Sequence, residues 1–71
     1  MEIKQSAYKH GVSKEDILHA IRNPFIYHDL DEIEMYVGAA LNGTPIEVGV
    51  IRGDTVIHAM KARPKFFKRK K

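Results

Sequence analysis

Four imidazoles, His10, His19, His28 and His58, are the groups in this chain best suited to move protons near neutral pH. His58 stands out because Lys61 and Arg63 follow within five residues. An imidazole beside two cations is a set that can cut RNA by attack of the 2′-hydroxyl. One group takes the hydroxyl proton, a cation steadies the phosphorane oxygens, and an acid protonates the leaving 5′-oxygen. Arginine matches a phosphate with a two-pronged fork, whereas lysine offers a point charge. Lys9 and His10 form a second basic pair before Gly11. Each group also has a plain reading. His58 can be an ordinary half-buried strand residue with Lys61 and Arg63 solvated, and Lys9 and His10 suit the C-terminus of a helical turn. His19 and His28 read as structural residues at a helix surface and a strand end.

Other chemistry is poorly provided for. The chain has no cysteine and no histidines spaced four apart, so no metal site is expected. It lacks a glycine-rich phosphate loop and a nucleophile elbow, and no cofactor is expected.

Charge is strongly segregated. Residues 1–60 hold five Lys/Arg and nine Asp/Glu, a net of −4, whereas residues 61–71 hold seven Lys/Arg and no acid, a net of +7. A basic, aromatic-containing end on an acidic body suits a polyanion, most often nucleic acid. Lys65, Lys68, Arg69, Lys70 and Lys71 would hold the backbone. Of Phe66 and Phe67, one could dock on the body while the other stacks on a base. The plain reading is a solvated basic end, which two adjacent aromatics fit badly.

These groups need a scaffold. Ser13 is an N-cap with Asp16 three residues on, and Val12 and Ile17 can form a hydrophobic staple. Ile17, Leu18, Ala20 and Ile21 supply an apolar face, and Asn23-Pro24 stops the element. This predicts a helix over 14–22. Residues 6–10 form a shorter helical turn ended by Gly11. Beyond Pro24 the period changes to two. A short strand spans 25–28, and longer ones centre on Met35, Val48 and His58, with Val56, His58 and Met60 on one face. Asn42-Gly43 and Gly53-Asp54 are hairpin turns. The expected fold is therefore α+β, with two N-terminal helices packed on a three- to four-stranded antiparallel sheet. It forms a single compact domain over 1–71 with a basic segment at 61–71. A chain of 71 residues buries only about 60% of its unfolded surface, so a partner would help its stability.

The order of features resembles the BrnT-type toxins of bacterial type II toxin–antitoxin systems. The resemblance runs over roughly residues 8–69. It is carried by Lys9-His10-Gly11-Val12-Ser13 before an acidic-started helix, the Asn23-Pro24 stop and Gly38. Glu47-Val48-Gly49-Val50 and Val56-Ile57-His58-Ala59 follow, ahead of the basic segment. It implies a compact RelE-like fold, ribonuclease activity that arrests translation, and neutralisation by a ribbon-helix-helix antitoxin. The chain departs from the family in lacking an aromatic-acidic first strand and in its shortened C-terminal helix. It has Ile57-His58-Ala59-Met60 where the family has Ile-Ser-Ala-Arg, so Lys61 or Arg63 would replace that arginine.

The resulting expectation is a metal-independent ribonuclease toxin. His58, Arg63, Lys61 and His10 would be catalytic. Lys9, Lys65, Phe66, Lys68, Arg69, Lys70 and Lys71 would bind RNA. Partners would be RNA and a cognate antitoxin, in a homodimer or a toxin–antitoxin hetero-oligomer. The alternative is a non-catalytic module that holds nucleic acid or protein through the basic segment. No apolar run is long enough for a membrane span and the start is unlike a secretory signal, so a cytoplasmic location is expected.

Overall fold

A computed structural model describes residues 1–67. Its elements are strand β1 (Glu2–Ile3), a 3₁₀ turn (Gln5–Tyr8), helix α1 (Lys14–Arg22), strands β2 (Pro24–Leu30), β3 (Ile33–Ala39), β4 (Pro45–Ile51) and β5 (Thr55–Lys61), and a second 3₁₀ turn (Pro64–Phe66). The five strands form one mixed sheet in the order β1-β5-β4-β3-β2.

Helix α1 has the bounds its sequence signals predict. The Ser13 hydroxyl accepts the Asp16 backbone N–H at 3.1 Å. Glu15 and Asp16 occupy the first turn and Arg22 the last, each matching the helix dipole. The helix buries Ile17 and Ala20 against the sheet. Its closest approach is over Gly38, where an added Cβ would lie 2.5 Å from the Ala20 carbonyl oxygen. Glycine here lets the helix backbone rest on β3.

Two expectations about the fold are corrected. Among the described residues there is one α-helix, not two, because the stretch before Gly11 closes only a four-residue 3₁₀ turn. This turn ends at Tyr8 with Lys9 as its C-cap, and Gly11 turns the chain at φ +80 three residues on. The sheet has five strands and is mixed, not three- to four-stranded and antiparallel. The two-residue β1 runs parallel to β5, with Glu2 donating to the Asp54 carbonyl and Lys4 to that of Val56, each at 2.9 Å. So short a strand carries no period to detect. At the other edge β2 is seven residues long, because Pro24 sends the chain straight from the helix into extended backbone.

The sheet is covered on both sides. On the α1 side, Ile46, Val48, Val50, Val56 and Ala59 pack with Ala7, Ile17, Ala20 and Ala40. Each fully buried Val or Ile there contributes about 1.5–3 kcal/mol. On the other side, Met35, Val37 and Phe66 form a second cluster with Ile26, Ile33 and Ala62. Its lid is the chain that returns after β5. Phe66 is buried and its carbonyl accepts from His28 Nε2 at 2.9 Å, so this chain is strapped to the sheet.

Candidate active site

The site lies on the strap side of β4 and β5, and a β-bulge creates it. Val50 pairs with Val56, but Gly49 pairs with His58, so Ile57 has no partner. Strict alternation would put Val56 and His58 on the same face. The extra residue reverses the parity, and Val56 and Ala59, three apart, both enter the α1-side core. His58 is thereby turned to the opposite face, beside Glu47 of the neighbouring strand. Gly49 leaves room for it, since a Cβ there would stand 3.2 Å from His58 Cβ and 2.9 Å from Ile33 Cδ1.

Glu47 is the centre of the cluster and its side chain is fully buried. His58 Nε2 lies 2.8 Å from Oε2. Arg63 closes over the same carboxylate from the strap. Its backbone N–H donates to Oε1 at 2.9 Å and its Nη2 to Oε2 at 2.6 Å. Its Nε spans the two oxygens at 3.2 and 3.1 Å. Burial by itself would raise the carboxyl pKa. The hydrogen bonds from Arg63 and His58 and the guanidinium charge outweigh that and hold the group below the usual carboxylate range. The Glu47 bonds, opposed by burial, push the Arg63 guanidinium up in turn. A buried anion is thus matched by a fixed cation, with the imidazole as the third member of the trio.

A second imidazole meets the first. His10 follows the 3₁₀ turn that packs on β5, where the Ser6 hydroxyl donates to the Ile57 carbonyl at 2.8 Å. The ring centroids of His10 and His58 are 6.1 Å apart, edge to face. His10 is exposed and His58 half-buried, so the pair opens to solvent.

His58, Arg63 and His10 are therefore brought together as the sequence suggests. Lys61 is not. The alternation of β5 and its pairing with Ile46 place it on the α1 side of the sheet. Lys9 is exposed beside His10. Lys65 stands over the Phe66 ring at 5.0 Å from its centroid, and Arg63 does so at 5.4 Å. Phe66 is a core residue, so a base would have to stack elsewhere, and the exposed ring is Phe67. Lys68, Arg69, Lys70 and Lys71 lie outside the described residues. His19 and His28 are structural, bonding to the carbonyls of Ala39 and Phe66.

Sequence reasoning missed Glu47 as a site residue. It sits on the polar alternation of β4, where an acid is ordinarily solvated. Nothing local announces that the strap buries that face. The available signal was long-range, a lone acid in an apolar strand with an unmatched arginine after the next strand.

No group of three or more metal-binding side chains occurs among the described residues. No described helix is long and apolar enough to cross a membrane. Comparisons of the chain with protein-family models, curated proteins and solved structures found no match.

Proposed function

We propose that this protein is a metal-independent endoribonuclease, the toxin of a type II toxin–antitoxin system, which arrests translation by cutting single-stranded or ribosome-associated RNA. The observation that supports this best is the His10–His58 pair, one ring free at the surface and the other braced by a buried carboxylate. Two imidazoles suffice for the proton traffic of transesterification. Neutral His58 accepts the proton of the ribose 2′-hydroxyl as that oxygen bonds to phosphorus. The P–O5′ bond breaks, and cationic His10 gives its proton to the departing oxygen. The products are a 2′,3′-cyclic phosphate and a 5′-hydroxyl. Glu47 stabilises the His58 imidazolium while it exists. Arg63 contributes positive charge beside the phosphate. Lys9, Lys65 and the terminal lysines and arginine hold the backbone.

In this reading the cell keeps the protein inactive with a cognate antitoxin whose acidic segment masks the basic surface, in the cytoplasm. The engagement of Arg63 with Glu47 favours one rival, a binding module in which the cluster only fastens the strap. RNA incubated with the protein in EDTA separates the two. The enzyme produces cyclic-phosphate ends, with a bell-shaped dependence on pH, and both His58→Ala and His10→Ala abolish cleavage. RNA bound but left intact by the parent protein supports the module.

A further inference from the structure

Glu47 can only accept hydrogen bonds, because its carboxyl is held ionised. The His58 nitrogen that faces it at 2.8 Å must therefore carry the hydrogen. The other ring nitrogen, Nδ1, has no hydrogen-bond partner among the described residues. No side-chain nitrogen or oxygen among them is buried without a partner, so Nδ1 meets solvent. We propose that Glu47 is a positioning residue that locks His58 in the Nε2–H tautomer and presents Nδ1 outward as the ring's one free base.

The carboxylate is itself immobilised. Arg63 holds both oxygens through its backbone N–H, Nε and Nη2, leaving Nη1 as the only guanidinium nitrogen with no hydrogen bond to a described residue. Arg63 therefore acts chiefly on Glu47, and Nη1 is the nitrogen it has left to offer a phosphate. The orientation of the base runs from strap to strand to imidazole. That chain explains why an acid fully shielded from water is placed in a strand otherwise made of Pro, Ile, Val and Gly.

The extension to catalysis rests on the ribonuclease reading, but the tautomer does not, and the two are tested apart. Nitrogen-15 NMR of the labelled parent protein, run above the titration of its histidines, reports which ring nitrogen bears hydrogen. His58 should show a protonated Nε2 and a bare Nδ1. In Glu47→Gln the side-chain amide can donate to Nε2, so the signature should reverse to Nδ1–H. Glu47→Asp, which keeps the carboxylate, should retain the parent signature at least in part. On an RNA substrate Glu47→Gln should lose roughly 10²-fold in kcat with KM little changed, since the base is present but misdirected. Nδ1–H in the parent overturns the proposal. So does a folded Glu47→Gln protein that keeps Nε2–H and full kcat. If Glu47→Gln does not fold, the parent spectrum decides. RNA left uncut by a parent that shows Nε2–H would sink the ribonuclease reading and uphold the role of Glu47.

Discussion

Glu47 and Arg63, sixteen positions apart, are joined through both carboxylate oxygens, the arginine backbone N–H and two guanidinium nitrogens. The glutamate is fully buried, whereas the arginine side chain remains 44% exposed. Such a pair is a poor device for stability alone, because desolvating the anion costs about as much as the attraction returns. An apolar residue of similar size should pack among Val37, Met35 and Phe66 at least as well. Replacing both members, Glu47→Leu with Arg63→Met, is therefore expected to leave the denaturant midpoint unchanged or higher while removing the partner of His58, whereas Glu47→Leu alone strands the Arg63 and His58 donors and should lower it. Chemical denaturation beside the RNA assay checks this. A double variant that unfolds would show that the ion pair is structural after all.

The strap should be cooperative with the site. Phe66 closes the second core, and three residues earlier Arg63 closes over Glu47. Phe66→Ala should cost about 3 kcal/mol by opening a cavity in that core. The loss should appear first as exchange of the Arg63 and Phe66 amide hydrogens, before that of β3 and β4. Activity should fall with the strap even where the sheet persists. Uniform exchange across the molecule would mean that the strap and the sheet open as one unit.

How much of this was legible in the sequence follows from the range of each signal. The Ser13 cap, the acidic first turn and the Asn23-Pro24 stop are local, and α1 has the bounds they imply. The strands around Met35, Val48 and His58 are visible as alternation. The bulge is not, because Ile57 is as apolar as its neighbours, and only pairing with β4 shows that the parity reverses there. The stretch 6–10 reads as helical, but the chain closes a 3₁₀ turn over Gln5–Tyr8, too short for the 3.6-residue period to separate the two. His58, Arg63 and His10 could be named from residue type, but their meeting depends on the bulge, the strap and β1. Lys61 lies on the opposite face, which its nearness in sequence to His58 could not show.

Gly38 tests the contact that sets the position of α1. A methyl group added there meets the Ala20 backbone, which cannot rotate aside as a side chain could. Gly38→Ala should destabilise by about 1–3 kcal/mol through overpacking. The helix must lift, so Ile17 and Ala20 should lose amide protection while the strap side, with its own cluster, changes less. A thermal midpoint equal to that of the parent would show that the helix shifts freely and that Gly38 is not needed for its seat.

Two ionisations limit stability from opposite ends of the pH scale. Glu47 ionises below its ordinary range in the folded chain, because the Arg63 and His58 bonds overcome the effect of burial. The unfolded chain therefore takes up this proton first. The stabilisation is complete above the ordinary carboxyl range and fades as pH falls through the lower folded value, so it should be lost progressively below about pH 4. Tyr27 works in the other direction. Its hydroxyl donates to Glu34 Oε2 at 2.7 Å, and this bond, slight burial and the charges of Glu34 and Asp29 raise its pKa to about 12. Its contribution is present below the ordinary value of 10.0 and is lost as pH rises through about 12. Denaturant midpoints measured across the range should fall on both limbs. Glu47→Leu should flatten the acid limb, and Tyr27→Phe the alkaline one. Tyrosinate absorbance that is complete well below pH 12 would remove the Tyr27–Glu34 bond from the alkaline account and leave the acid limb to stand on Glu47 alone.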